Sequence, residues 1–347
     1  MMIHRLATRA FHSLDPEDAH TAALAGLKLG LGPWALVTDP ILKVDLAPGL
    51  TLPNPVGLAP GFDKNAEVFG PMLRAGFGFV ECGTVTPKPQ AGNPRPRLFR
   101  LSEDRAVINR MGFNNDGLEA FAGRLAGRRW GVVGANFGAN KDSDDRVGDY
   151  VIGLTRLWGL ADYLTVNISS PNTPGLRALQ TRAALDELLG RLAEAALALP
   201  ADGRRPMFLK VAPDLEDGEV EQITAAVVAH GLTGLIVANT TVSRPSLRSR
   251  HAEETGGLSG APLTDLSREM LTRFRAAAPP GLVLISAGGI GSGAEAYARI
   301  RAGASAVQLY SALVYEGPGL GAAIARDLAR RLRADGFKTV QAAVGAG

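Results

Sequence analysis

Short apolar runs alternate along the chain with longer amphipathic segments. Eight of the apolar runs predict β-strands, over residues 56–59, 79–84, 132–137, 163–168, 207–211, 234–239, 282–287 and 306–310. Between several of them the apolar residues recur at helical spacing, over residues 185–199, 218–230, 263–277 and 294–302. Eight strands with intervening helices predict a closed (β/α)8 barrel rather than an open doubly wound sheet.

The first 32 residues follow a different pattern, which predicts two helices ahead of the barrel. The first is short, basic and amphipathic, with apolar side chains from Ile3 to Leu14 on one face. The second begins where Asp15 can cap and Pro16 can take the first helical position. We expect a helical extension over residues 1–44 and a barrel domain over 45–347. Whether the helices pack only on their own domain or also lie on a membrane is left open by periodicity.

Polar or glycine residues stand at the ends of the predicted strands. They are Lys64, Thr84, Asn136, Asn167, Lys210 and Asn239, followed by the pairs Gly288-Gly289 and Tyr310-Ser311. In a barrel all of these would project from the carboxyl-terminal rim, where barrel active sites lie. The register therefore predicts that this rim carries the chemistry.

Two segments are rich in neutral hydrogen-bonding side chains. Residues 167–177, NISSPNTPGLR, place two amides and a serine pair beside rigid prolines, directly after a strand. Residues 109–115, NRMGFNN, form an amide-rich loop that taken alone would be ordinary. Amides read a ring edge that carries alternating N–H and C=O groups, so both segments suit a flat, polar heterocycle.

Two strand ends suggest a cofactor. Gly288-Gly289 after strand seven and Tyr310-Ser311 after strand eight match the phosphate corner of many barrels, although a lone Gly-Gly is weak evidence. Lys210 ends strand five among apolar residues, where a buried ammonium needs an anionic partner such as a reduced flavin. A lysine that snorkels to the rim or forms a Schiff base is an equal alternative.

Composition and charge exclude several classes of protein. The 37 basic and 34 acidic residues give a formal charge of +3 without any basic block, which argues against a nucleic-acid partner. One cysteine, Cys82, forms no internal disulfide and is expected to pack in the barrel, and the five scattered histidines offer no metal-ligand spacing. No run has the length of a transmembrane helix and no signal peptide is visible, so we expect a cytoplasmic protein without a metal.

Several motifs in barrel order together resemble the dihydroorotate dehydrogenase family. They are residues 60–64 (PGFDK), 81–87 (ECGTVTP), 109–115, 167–177, 239–241 (NTT), 255–260 (TGGLSG) and 288–290 (GGI). The resemblance spans about residues 45 to 330, and no single motif is as specific as their order. The amino-terminal helices are similar to those of the membrane-associated, quinone-using branch.

The resemblance implies flavin mononucleotide (FMN) as the cofactor. The residues implied to hold it are Pro60, Gly61, Phe62, Asp63, Lys64, Thr84, Asn136, Asn167, Lys210 and Ala238, with its phosphate at Gly260, Gly289, Tyr310 and Ser311. Ala238 stands where some relatives carry threonine, which leaves a backbone contact but removes a hydroxyl contact.

The resemblance also implies the substrate site and the catalytic base. Dihydroorotate would be held by Lys64, Asn109, Arg110, Met111, Gly112, Phe113, Asn167, Asn172, Asn239 and Thr240. Ser170 stands where the soluble branch has cysteine and the quinone-using branch has serine, and it would remove the C5 proton while hydride leaves C6 for the flavin. A serine is a poor base at neutral pH, so Ser170 would need a relay through water or threonine.

The helical extension would then guide a lipid quinone to the flavin. His20 and Arg100 resemble polar positions at the quinone end, although a lone histidine near a helix start is more often a satisfied surface residue. The implied enzyme oxidises (S)-dihydroorotate to orotate and passes the electrons to quinone in pyrimidine synthesis. We expect a monomer bound peripherally to the cytoplasmic face of the inner membrane.

The residues are also compatible with two other functions. A flavin barrel of the same fold could act on another small acid or another pyrimidine. A catalytically idle flavin-binding or membrane-adaptor protein is less compatible with Lys64, Ser170 and Lys210, because a binder needs no base beside the ring.

Overall fold

Eight parallel strands close into one barrel in the computed structural model, which describes residues 8, 11–128, 130–173 and 175–347. The barrel strands are β3 (Val56–Leu58), β4 (Phe79–Val85), β7 (Val132–Phe137), β8 (Tyr163–Asn167), β9 (Met207–Val211), β10 (Gly234–Val237), β12 (Val283–Ala287) and β13 (Ala306–Leu309). The last strand, β13, pairs with β3 and closes the ring. The predicted (β/α)8 barrel is confirmed, and every predicted strand agrees with the observed one to within two residues.

Helices alternate with the barrel strands in sequence. The helices are α1 (Pro16–Lys28), α2 (Phe69–Arg74), α3 (Leu118–Ala126), α4 (Arg146–Leu157), α5 (Arg182–Leu197), α6 (Glu219–Ala229), α7 (Thr264–Ala277), α8 (Gly293–Arg301), α9 (Leu313–Glu316), α10 (Leu320–Ala334) and α11 (Val340–Ala343). The four helices predicted from apolar spacing correspond to α5, α6, α7 and α8. Their buried stripes pack against the strands, as leucines of α5 do at positions 185, 188, 189 and 192.

Two small antiparallel sheets accompany the barrel. Strands β1 (Val44–Ala47) and β2 (Leu50–Leu52) form an antiparallel hairpin before β3. Strands β5 (Leu98–Leu101), β6 (Ala106–Asn109) and β11 (Gly257–Gly260) form a three-stranded sheet that the apolar pattern does not predict. Its apolar residues make a small core of their own. Each strand has only four residues, which is too short for a clear periodic signal. Asn109 is therefore the last residue of a strand rather than part of a free loop.

Helix α1 begins as its sequence predicts. The Asp15 carboxylate accepts hydrogen bonds from the backbone N–H groups of Glu17 and Asp18 at 2.9 and 3.4 Å, and Pro16 occupies the first helical position. The helix packs against β5 of the small sheet. Most of the first predicted helix, over residues 3–14, lies outside the described residues.

Aromatic rings fill the lower part of the barrel. Tyr163 contacts Phe79 and Phe208 edge to face, with ring centroids 6.2 and 5.6 Å apart. The Tyr163 ring lies over Gly134, where an added Cβ would come within 2.1 Å of the ring. Glycine at this position lets a large ring cross the barrel axis, and the Tyr163 hydroxyl then donates to Glu81 at 3.0 Å.

We expect Gly134→Ala to destabilise the fold by about 2 kcal/mol, since overpacking a dense core forces the ring or the backbone to move. Gly123→Ala is the matched control, because no atom lies within 4 Å of the added methyl group on α3, and alanine should raise stability by about 0.5 kcal/mol. Urea denaturation followed by circular dichroism measures both. Equal midpoints for the two variants would contradict the packing argument.

Candidate active site

One cavity of about 470 Å³ joins the carboxyl-terminal rim of the barrel to helix α1. Its polar end is lined by strand-end residues that include Lys64, Thr84, Asn167, Lys210 and Asn239. Its other end is lined mainly by apolar and small residues of α1, among them Ala19, Ala22, Ala23 and Leu27. The cavity therefore offers a polar chamber at the barrel mouth that continues into an apolar passage under the amino-terminal helix.

A buried carboxylate underlies the polar end of the cavity. Glu81 of β4 is fully buried, and its two oxygens accept hydrogen bonds from Asn136 Nδ2 at 2.7 Å, Tyr163 OH at 3.0 Å and Gln308 Nε2 at 2.6 Å. Burial of a carboxylate is costly unless its lone pairs are satisfied, and three donors satisfy them here. The consequence is that each donor is held in one orientation.

The orientation of Asn136 fixes the next layer of side chains. Asn136 Oδ1 accepts from Thr84 Oγ1 at 2.6 Å and from Asn167 Nδ2 at 3.1 Å, and Asn167 Nδ2 also donates to Thr84 Oγ1 at 2.8 Å. Asn167 Oδ1 then accepts from Ser169 Oγ at 2.9 Å, and Ser169 Oγ accepts from Asn239 Nδ2 at 2.8 Å. A continuous network thus sets the direction of the amides at the ends of three barrel strands.

Lys210 places a cation on the cavity wall. Its side chain is 4% exposed, so it does not snorkel to solvent, and no hydrogen bond or ion pair joins it to another residue in the described part of the chain. Burial lowers the pKa of Lys210, and the Glu81 carboxylate opposes that shift. An anionic or electron-rich ligand in the cavity would meet this ammonium directly.

Lys64 places a second cation on the wall of the same cavity. Its Nζ donates to the Gly61 carbonyl at 2.8 Å, which leaves further donors for a ligand. Burial lowers the pKa of Lys64 to about 8, against the opposing effect of Glu17 and Asp63. A small carboxylate bound here would be paired with a charge that is retained at neutral pH.

Ser170 lies at the same end of the cavity and is buried. Its Oγ accepts from the Asn172 N–H at 3.2 Å, and among the described residues no carboxylate or imidazole contacts it. The Asn172 side chain in turn donates to Asn109 Oδ1 at 3.3 Å. The hydroxyl is therefore held by a backbone N–H group, and its activation depends on a bound ligand or water rather than on a base among the described residues.

Arg177, the last residue of the segment over residues 167–177, connects two loops beside Ser170. Its guanidinium donates to the Ser169 carbonyl at 3.2 Å, the Thr240 carbonyl at 3.1 Å and the Asp214 carboxylate at 2.9 Å. Asp214 also accepts from the Thr241 hydroxyl. One arginine therefore fastens the loop that carries Ser170 to the loop that follows β10, a contact that local sequence does not reveal.

Glycines form the opposite corner of the cavity. Gly260 and Gly289 have φ angles of 98° and 73°, and a Cβ would lie 2.5 Å from the Arg105 carbonyl oxygen at Gly260 and 2.4 Å from Thr264 Cα at Gly289. Beside them the Ser311 hydroxyl donates to Ser259 Oγ at 2.8 Å. Bare backbone and hydroxyls on a concave wall suit the phosphate of a nucleotide.

His20 and Arg100 both line the cavity, as the sequence predicted for the quinone end. His20 contacts Phe62 and Tyr310, with ring centroids 5.3 and 6.2 Å apart. Burial and the nearby Lys64 lower the pKa of His20 to about 3, so the imidazole is neutral at physiological pH. Arg100 donates to the His12 carbonyl at 3.0 Å, and burial lowers its pKa.

Most sequence-predicted site residues come together around the cavity, and three do not line it. The Asp63 carboxylate is buried and accepts from the backbone N–H groups of Glu67 and Val68 at 2.8 Å each. The Arg110 guanidinium points to Glu254, 2.7 Å away, and lies over the Phe99 ring. Asn136 lies one layer below, in the Glu81 network. These three act on the site through their neighbours or their backbone.

Cys82 follows Glu81 in strand β4, and its side chain is fully buried on the opposite face of that strand. Its Sγ lies 3.6 Å from Asp63 Oδ2, and burial raises the pKa of the thiol well above its ordinary value. The expectation that Cys82 packs in the barrel is consistent with this position, because a protonated, enclosed thiol is unreactive.

Comparison with known proteins identifies relatives along almost the whole chain. The family model described as dihydroorotate dehydrogenase matches residues 41–332. The dihydroorotate dehydrogenase (quinone) of Rhodospirillum rubrum is 58% identical over 347 residues, 99% of this chain and 94% of that protein. The protein of the same name from Sphingopyxis alaskensis is 57% identical over 348 residues, 99% of this chain and 97% of that protein. The crystal structure of Eimeria tenella DHODH in complex with ferulenol superposes with a TM-score of 0.92 at 42% identity, covering 96% of this chain and 95% of that chain.

We expect Arg177→Ala to lower the free energy of unfolding by about 2 kcal/mol, because two carbonyls and the Asp214 carboxylate lose a half-buried donor. Arg182→Ala is the control, since its exposed pair with Asp186 should contribute no more than about 0.5 kcal/mol. Urea denaturation gives both values. Subtilisin should also cut the Arg177 variant faster within residues 169–180, and equal cleavage rates would contradict the fastening role.

Proposed function

The chain belongs to the dihydroorotate dehydrogenase family, and from this we infer its function: it oxidises (S)-dihydroorotate to orotate, with a quinone as electron acceptor, in pyrimidine biosynthesis. One observation of the molecule itself carries the inference. Lys64, Ser170 and Lys210 line the same cavity, beside the amides of Asn109, Asn172 and Asn239, and that cavity continues to helix α1. Oxidation of a small acidic pyrimidine ring requires a base, cations for its negative charge and amides that hydrogen-bond the ring edge, and this cavity has all three.

The family is flavin-dependent, and we propose FMN as the particular flavin. The cavity residues fit it, since Lys210 is buried and makes no hydrogen bond or ion pair with another described residue, and Gly260 and Gly289 line the same cavity without side chains. When bound, FMN supplies the hydride acceptor. The Lys210 ammonium would stabilise negative charge on a reduced flavin bound in this cavity. Thr84 and Asn167 line the same end of the cavity and would hold the flavin there.

We assign the substrate contacts by the same logic. The Lys64 ammonium pairs with the dihydroorotate carboxylate, and the amides of Asn109, Asn172 and Asn239 bond the ring edge. Ser170 takes the C5 proton at its Oγ and passes its own proton to water. The packed loop excludes bulk solvent, because Arg177 fastens it to the segment after β10.

The apolar end of the cavity suits a lipid quinone. His20, neutral at physiological pH, and Arg100 are the polar groups proposed for its head group, and the α1 side chains for its tail. No helix among the described residues is long and apolar enough to cross a membrane. Leu29, Leu31 and Trp34 follow α1 and are 78, 68 and 78% exposed, which supports peripheral attachment at the mouth of the passage. We propose the cytoplasmic face of the inner membrane, and a monomer.

The extension over residues 1–44 remains a proposed unit. Helix α1, with Leu31 and Gly32 after it, lines the proposed passage, and the barrel provides the flavin and pyrimidine sites. The division is supported by the position of α1 against β5 rather than among the barrel strands.

Anaerobic addition of dihydroorotate to the purified protein tests the function. We expect a yellow protein whose flavin absorbance bleaches, and Ser170→Ala should slow bleaching by about 100-fold or more, because a positioned base contributes that much to proton removal. FMN content, measured on both proteins after denaturation, is the control for correct assembly.

Persistence of the oxidised spectrum in the unaltered protein would overturn the activity. An unchanged bleaching rate in Ser170→Ala would remove only the proposed base. Bleaching with a different small acid or pyrimidine, but not with dihydroorotate, would favour the alternative substrate.

Ala23→Phe tests the quinone passage. The larger side chain should narrow the passage, since Ala23 lines the cavity, and should reduce quinone turnover about tenfold while bleaching by dihydroorotate keeps its rate. Ala25→Phe is the matched control on the exposed side of α1 and should change neither half-reaction. Stopped-flow absorbance measures the two half-reactions separately. Equal quinone kinetics in both variants would refute the passage.

A further inference from the structure

We propose that Glu17 and Arg97 couple helix α1 to the amides that bind the pyrimidine, so that this helix positions the dihydroorotate site as well as lining the quinone passage. The inference rests on the proposed function and adds two positioning residues to it. It follows from a chain of hydrogen bonds that runs from the second residue of α1 to the cavity wall.

The first step joins the helix to the barrel by a buried ion pair. Arg97 Nε lies 3.2 and 3.1 Å from the two Glu17 oxygens, and Arg97 Nη2 lies 2.7 Å from Oε1. Glu17 is 7% exposed and Arg97 is 9% exposed. Burial raises the pKa of Glu17, but the hydrogen bonds and charges of Arg97 and Arg95 lower it by more. The pKa of Glu17 is therefore below its ordinary value. This two-nitrogen contact with the carboxylate, called the fork below, fixes the plane of the Arg97 guanidinium group.

The second step uses the remaining nitrogen of the same guanidinium. Arg97 Nη1 donates to the Ala91 carbonyl at 2.6 Å and to the Asn93 carbonyl at 2.8 Å. The Arg97 carbonyl accepts from the Arg110 N–H at 2.8 Å. Because Glu17 sets the plane of the fork, it also sets where the turn at residues 91–93 lies relative to the strand that ends in Asn109.

The third step reaches the site. Asn93 Nδ2 donates to the Arg110 carbonyl at 2.9 Å and to the Asn172 carbonyl at 3.3 Å, and the Asn93 N–H donates to the Met111 carbonyl at 3.0 Å. Asn172 Nδ2 then bonds Asn109 Oδ1 at 3.3 Å. One side-chain amide therefore bridges the two segments that present Asn109 and Asn172 to the cavity. A displaced Asn93 would separate them.

Charge gives the pair a second route to the same site. The Glu17 carboxylate raises the pKa of Lys64 and the Arg97 guanidinium lowers it, so the two effects largely oppose one another while both residues are charged. Neutralising Glu17 alone would leave a cation near Lys64 and make its protonated form less favourable. Both routes predict weaker binding of a carboxylate-bearing pyrimidine.

Glu17→Gln in the holoenzyme tests the coupling, with Asp18→Asn as the matched control. Asp18 lies next in the same helical turn and is exposed, with Arg95 as its ion-pair partner 3.1 Å away. Orotate binding is titrated by the change in flavin absorbance, without turnover. We expect Glu17→Gln to weaken orotate binding about tenfold, the size of coupling within one hydrogen-bonded network, and Asp18→Asn to leave it unchanged.

A double-mutant cycle with Asn93→Ala separates positioning from general destabilisation. If the effect travels through Asn93, Glu17→Gln should weaken orotate binding by no more than about twofold in the Asn93→Ala background. Full additivity of the two substitutions would overturn the route through Asn93. A change in quinone KM with unaltered orotate affinity would overturn the coupling itself.

Two further measurements keep the outcomes distinct. Arg97→Lys retains the charge but not the fork, and it serves as the test variant if Glu17→Gln does not fold. Arg97→Lys should raise the KM for dihydroorotate more than it lowers kcat. Unaltered protein that binds FMN but not orotate would sink the proposed function instead, whatever the variants do.

Discussion

The arrangement of the site depends on a single buried carboxylate. Glu81 is enclosed within the barrel, where burying a carboxyl group is costly unless it is hydrogen-bonded. Its donors, Asn136, Tyr163 and Gln308, come from three other strands, so satisfying one charge aligns side chains across the barrel. Asn136 passes that alignment to Thr84 and Asn167 at the rim. The cavity floor is rigid because the alternative is an unpaired charge in an apolar interior.

Arginine side chains hold the loops in place above the rim, where the polypeptide is irregular. Arg97, Arg177 and Arg299 each donate to two or more backbone carbonyls and to a carboxylate. The planar guanidinium has donors enough to join several loops at once, which a lysine cannot do in fixed directions. Arg299 supports the Gly288 carbonyl, Arg177 the serine loop, and Arg97 the amide turn. Loops that would be mobile are thereby held to the geometry that a small planar ligand demands.

The sequence alone predicted the barrel from local signals, and most of the site residues that the family resemblance implied do line the cavity. Strand periodicity located all eight strands, and the strand ends located Lys64 and Lys210. What it missed depends on contacts between distant segments. The sheet of β5, β6 and β11 joins residues about 150 positions apart, and Arg97 meets Glu17 across 80 residues. Motif reading likewise placed Arg110 and Asp63 in the site, although their side chains turn away to Glu254 and to backbone N–H groups.

The exposed segment after α1 has a practical consequence for handling the protein. Leu29, Leu31 and Trp34 lie within six positions of one another and face solvent together with Leu36, near the outer opening of the passage. Water solvates such an apolar surface poorly, so in buffer without an amphiphile the copies will bury it against each other. Sedimentation or light scattering recorded in plain buffer would then report aggregation at this surface. Repeating the measurement in a mild detergent or lipid nanodiscs, which cover this surface, would remove that contribution from the apparent association state.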